Sequence, residues 1–141
     1  MKIALGQINP TVGDFKGNGG KIIDFACRAQ AAGAGLILFP ELSVCGYPPR
    51  DLVERTSFVT HNSETLEHIA SETQGISVIC GVVTAAHAET GKSVMNSAAL
   101  LRDGKLIHMI QRSDIEHREA VDIAAELKKA FEKVCAVPAG K

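Results

Sequence analysis

Glu41 is the residue whose setting most invites chemistry. It follows the apolar run Leu36-Ile37-Leu38-Phe39 and a proline, in Phe39-Pro40-Glu41-Leu42. A short apolar run bounded by Gly35 and Pro40 reads as a buried strand. Open α/β proteins place their sites at the carboxyl ends of parallel strands. Partial burial there would suit a carboxylate to proton transfer, although a surface carboxylate opening a loop accounts for the same position equally well. The other candidates point to packing. His61, His68, His87, His108 and His117 form no HExxH and no same-face pair beside a carboxylate, so all five are expected at the surface. Cys27, Cys45, Cys80 and Cys135 show no CxxC spacing. They read as reduced thiols, with Cys80 a small hydrophobe inside an apolar strand.

The glycine-rich stretch from Gly13 to Lys21 precedes a helix pattern and raises the possibility of a phosphate loop. A Walker loop needs Gly, four residues, then Gly-Lys-Ser/Thr. Here Gly20-Lys21 is followed by Ile22, and Phe15 stands where the first glycine belongs. The dinucleotide fingerprint fails as well, because Gly17-x-Gly19 meets Ile22 where its last glycine belongs. A plain loop is the better reading.

The elements that must position Glu41 follow from periodicity and punctuation. Lys2 to Asn9 reads as a strand stopped by Pro10, and residues 10–20 as a loop. A helix is expected over Gly19 to Ala32, with Asn18 as N-cap and Gly33 as stop. Leu36 to Phe39 is the buried strand, expected parallel to the first. Residues 43–57 read as a loop turning at Gly46-Tyr47-Pro48-Pro49. Phe58 to Thr73 is a second helix with Leu66, Ile69 and Ala70 inward, and Ile76 to Thr84 a further buried strand. His87 to Lys92 reads as a turn. Asn96 to Arg102 and Lys105 to Gln111 form a hairpin about Asp103-Gly104. The order βαβαβββ places the chain among α/β folds. Ser113-Asp114-Ile115-Glu116 then matches a capping box. Ala120, Val121, Ala124, Leu127, Phe131 and Val134 recur at helical spacing, so an amphipathic helix is expected from Asp114 to about Ala136.

Composition agrees with one globular unit. The 141 residues carry 15 Lys+Arg against 16 Asp+Glu, a net charge of −1 that argues against a phosphate-driven nucleic-acid binder. Hydrophobic residues reach 45%, enough for a real core and too many for intrinsic disorder. No apolar run approaches the ~20 residues of a membrane span, and Met1-Lys2-Ile3-Ala4 has no signal-peptide shape. A cytoplasmic location is expected.

Several separated motifs together resemble a known family. Gln7-Ile8-Asn9-Pro10-Thr11-Val12-Gly13-Asp14-Phe15, then Gly17-Asn18, then Phe39-Pro40-Glu41-Leu42, resemble the opening of the nitrilase-type carbon–nitrogen hydrolases. Gly46-Tyr47-Pro48-Pro49-x-Asp51-Leu52 and Asn96-Ser97-Ala98-Ala99-Leu100-Leu101-x-x-Gly104-Lys105 are similar to the glutamine amidase domain of glutamine-dependent NAD synthetases. The resemblance covers residues 1–112 and implies part of an αββα sandwich. The family uses a Glu–Lys–Cys triad: the Glu takes the thiol proton, the Cys attacks the amide carbonyl, and the Lys stabilises the oxyanion. By resemblance Glu41 is the general base. Arg112 stands at the family's Lys position, where a planar guanidinium is a poor replacement for a compact ammonium. The nucleophilic Cys has no counterpart, since neither Cys45 nor Cys135 has its Ile-Cys-Glu-Asp-like context.

The resemblance therefore implies a partial amidase domain over 1–112 and a divergent helical tail over 113–141. Glutamine is the implied substrate. No cofactor is implied for this chain, because ATP serves the family's separate synthetase domain. The expectation is a truncated chain that is inactive alone. The alternatives are a non-catalytic remnant or interaction module, or, less favoured, a small stand-alone amidase. Half a sandwich leaves an apolar sheet face, expected to be covered by Val121, Leu127 and Phe131 of the tail, or by a homo-oligomer or partner.

Overall fold

Ile3, Leu36 and Ser77 lie side by side in three parallel strands, and that row sets the frame of the molecule. The computed structural model of the chain describes residues 1–86 and 94–111. The strands are β1 (Ile3–Leu5), β2 (Leu36–Leu38), β3 (Ser77–Ala85), β4 (Val94–Arg102) and β5 (Lys105–Gln111). Helix α1 (Phe15–Ala31) joins β1 to β2, and helix α2 (Thr56–Glu72) joins β2 to β3 after a 3₁₀ turn at Arg50–Glu54. The sheet order is β1-β2-β3-β4-β5, parallel through β3 and antiparallel beyond it. The βαβαβββ order and the parallel first pair match the sequence reading. Asp103 and Gly104 carry the β4–β5 turn with φ of 47° and 78°, the left-handed geometry that two-residue hairpins favour.

One face of the sheet carries the core. Ile37, Val78, Cys80, Val82, Ala99 and Leu101 pack against Ile22 and Ala26 of α1 and against Leu66, Ile69 and Ala70 of α2. The opposite face presents the register row Leu5, Leu38, Ile79 and Leu100. Leu5 there is 73% exposed. The described residues thus form one helical layer and one sheet of the expected sandwich. The expected helix from Asp114 to Ala136, and with it the covering role of Val121, Leu127 and Phe131, lies outside them.

Two local expectations are corrected. The first strand is three residues long rather than eight, because Gly6 donates one further hydrogen bond to Leu38 O (2.7 Å) and the chain then leaves the sheet. Helix α1 starts at Phe15, not Gly19, and its N-cap is Asp14, whose Oδ1 accepts from Gly17 N at 3.0 Å. Asn18 lies inside the first turn and is fully buried, with a different task described below.

Candidate active site

The position of Glu41 is built by three segments that converge on it. Phe39 N donates to Ile79 O (2.8 Å), carrying the β2–β3 pairing one residue past the strand. Pro40 has no N–H, so the ladder stops there. Residues 41–45 turn sharply, with Leu42 at φ 50° and Gly46 N closing onto Leu42 O at 2.8 Å. Leu42, only 5% exposed, anchors the turn in a small cluster with Cys45, Phe58 and Val83.

Strand β3 receives this turn at Gly81. Gly81 N donates to Ser43 Oγ (3.2 Å), and Val44 N donates to Gly81 O (3.2 Å). A Cβ on Gly81 would lie 2.8 Å from Glu41 C and 2.9 Å from Glu41 Cα. Only glycine lets the backbone approach so closely.

The loop before α1 clamps the far side of the turn. Asn18 Oδ1 accepts from Thr11 N (2.8 Å), while its Nδ2 donates to Thr11 O (2.7 Å) and Val44 O (3.1 Å). Gly13 N donates to Cys45 O (2.9 Å). A buried amide that satisfies three backbone groups ties two loops that secondary structure leaves unpaired.

Asn96 of β4 completes the carboxylate's setting, its Nδ2 donating to Glu41 Oε1. Both residues line an open cleft of about 470 Å³. Phe39, Ile79, Ala98 and Ile110 give it apolar walls, and Glu41, Asn96 and Ser97 its polar ones. Ser97 is itself held by Thr84, with their hydroxyls 2.8 Å apart. Of the two readings of Glu41, partly buried or at the surface opening a loop, the structure gives the second: its side chain is exposed at the cleft edge. The local reason is that it precedes the turn's buried residues, so Leu42 takes the inward position instead.

Among the described residues no cysteine or histidine lines the Glu41 cleft. Arg112, Cys135, His87 and His117 lie outside the described residues. Cys45 is buried in the turn, and burial pushes its thiol up to about 11, with its backbone hydrogen bond opposing the rise. Cys80 is buried in β3 and pushed up to about 12 by burial. Such thiols are poor nucleophiles at neutral pH. Cys27 is exposed on α1. His61 and His68 are exposed as expected, whereas His108 is half-buried in β5, on the strand face paired with Leu100. Among the described residues no group of acidic, His and Cys side chains could hold a metal ion, and no helix is long and apolar enough to cross a membrane. Beyond a glycine inside an otherwise β-branched strand, nothing local in the sequence points to Gly81, Ser43 or Asn96 as parts of this site, and Asn18 reads there as a helix cap.

Over residues 2–138 the sequence matches the family described as carbon-nitrogen hydrolase. The chain belongs to the carbon-nitrogen hydrolases. That match runs on beyond residue 112. A glutamine-dependent NAD(+) synthetase from Synechocystis sp. is 43% identical over 108 residues, covering 74% of this chain and 19% of that protein. Among solved structures of this family type, a glutamine-dependent NAD+ synthetase from Acinetobacter baumannii superposes with a TM-score of 0.71 at 32% identity. It covers 84% of this chain and 22% of its own. An amidase from Nesterenkonia sp. gives 0.62 at 30% identity, covering 79% and 42%. The chain therefore spans about a fifth of the length of the synthetases it matches.

Proposed function

We propose that this chain supplies the general-base half of a glutamine amidase site of the kind found in glutamine-dependent NAD synthetases. The observation that carries the reading is the Glu41 carboxylate, set at the end of a parallel strand and held through Oε1 by Asn96 in an open cleft. The same cleft accommodates a small carboxamide against Ile79, Ala98 and Ile110. With Oε1 engaged, Oε2 is the oxygen that takes the proton of an attacking thiol. The thiolate then adds to the carboxamide carbon, the C–N bond breaks as Glu41 returns the proton to the departing nitrogen, ammonia leaves, and water later releases glutamate from the thioester. None of the three described cysteines can play that nucleophile, so the complete site draws it from sequence outside residues 1–86 and 94–111. Cys135 lacks the Ile-Cys-Glu-Asp-like context of the family's nucleophile, so by this reading the 141-residue chain alone releases no ammonia from glutamine.

The test is a chimera in which residues 1–111 of this chain replace the aligned segment of the Synechocystis enzyme. Glutamine-dependent ammonia release is retained in the chimera. It falls by about 10²–10⁴ in Glu41→Gln, the range of a lost general base. A chimera whose Glu41→Gln form is equally active, or a lone chain that releases ammonia from glutamine, overturns the proposal.

A further inference from the structure

A second cavity, of about 320 Å³, opens between α2 and the β3–β5 part of the sheet and shares no lining residue with the Glu41 cleft. Its walls are Leu66 and Ala70 of α2, Val83 of β3, Leu101 of β4 and Leu106 and Met109 of β5. Asn62 of α2 also lines it and is 1% exposed. Its Nδ2 donates to Val83 O at 2.9 Å, tying the helix to the strand. Its Oδ1 is buried and has no donor. A buried acceptor without a donor is costly, so such an atom at a cavity wall marks a place for an incoming N–H or O–H. The volume lies in the range of small-molecule sites, which combine apolar walls with a few polar groups that fix orientation. Charge narrows the class. Among the described residues no Lys, Arg or His lines the cavity, and Glu67 does, so an anion would enter unpaired and opposed. The hydroxyl of Thr84 is paired with Ser97, whereas Asn62 Oδ1 is the fully unpaired buried acceptor among the described lining residues.

We propose that this cavity binds a compact uncharged molecule with an apolar body and one hydrogen-bond donor, which is given to Asn62 Oδ1. The ligand is held by contact with Leu66, Ala70, Leu101 and Met109 and oriented by that one polar bond. The site is independent of the Glu41 cleft and of any amidase activity.

The probes are indole, indene and indole-2-carboxylate, titrated into the 141-residue chain while ¹H–¹⁵N spectra are recorded. Indole has a ring N–H; indene has nearly the same shape and lacks it. Indole is expected to give saturable shifts at the Asn62 side-chain amide and at Leu66, Ala70 and Met109. Indene is expected to bind about five- to tenfold more weakly, the factor of one net hydrogen bond, and the carboxylate not at all. Ala70→Leu fills the cavity and abolishes the indole shifts while amide dispersion is kept. Should that variant fail to fold, the indole–indene comparison on the unaltered chain still decides. Equal affinity for indole and indene, shifts centred elsewhere, or no saturable response, leaving Oδ1 to an ordered water, each overturns the proposal.

Discussion

Gly81 and Glu41 meet backbone to backbone: a methyl group on Gly81 would lie 2.8 Å from the Glu41 carbonyl carbon. The strand is cut back to bare backbone where the loop bearing the carboxylate crosses it. Glu41 therefore owes its place to β3, forty residues along the chain, as much as to β2 that precedes it.

Gly81→Ala tests this dependence. At an open strand position the change stabilises by about 0.4–1 kcal/mol through the unfolded chain. At Gly81 it should instead destabilise by about 1–3 kcal/mol, as overpacking does. Urea denaturation reads the sign, and a stability at or above that of the parent would refute the back-to-back account.

Asn18→Ala should cost about 2–4 kcal/mol, because three backbone groups lose their partner and two of them are carbonyls. Amide exchange should show the effect first at Thr11, whose N–H bonds the lost Oδ1. Exchange at Thr11 as slow as in the parent would mean that the clamp is dispensable.

The two buried thiols set an alkaline limit. In the unfolded chain they ionise near the ordinary value of 9.0; in the folded chain Cys45 is raised to about 11 and Cys80 to about 12. Between those values the folded state holds more protons than the unfolded, so stability falls as pH rises from about 9 and is unaffected below about 8. Each group contributes at most about 1.4 kcal/mol per pH unit. The stability gap between the parent and Cys80→Ala should therefore narrow from pH 9 to pH 11. A gap constant over that interval would show that Cys80 ionises as freely folded as unfolded.

Thiol reagents should separate the cysteines at pH 7.5. Cys27 is exposed and reacts in the native state, whereas Cys45 and Cys80 are fully buried and wait for opening of the structure. Mass spectrometry of briefly labelled protein reads the order. Early modification of Cys80 would contradict its place in the core.

Local signals carried the elements well and their partners poorly. The β4–β5 hairpin was legible from Asp103-Gly104 between apolar runs, and the end of β2 from Pro40, because both depend on neighbours in sequence. The start of α1 was not. Gly17 and the residues before Gly19 read as loop, yet Phe15 already packs edge-on against Phe58 with ring centroids 4.9 Å apart, and the chain is helical from there. Gly19 is used for close helix packing: a Cβ there would lie 3.1 Å from Thr65 Cγ2. Asn18 looked like a cap because asparagine before a helix usually is one; its partners Thr11 and Val44 lie on two other loops. Glu41 was placed correctly at a strand end, but Asn96, which holds it, lies 55 residues away. Periodicity cannot report a bond across that distance.

The order of strands across the sheet is also their order along the chain. Each strand after the first finds its partner already made when it leaves the ribosome. During synthesis the growing edge of the sheet is always the newest strand, and pairing never waits for a segment still to be translated. Nascent chains released at successive lengths should accordingly gain protease resistance once α2, β3 and β4 have joined the core, before β5 is complete.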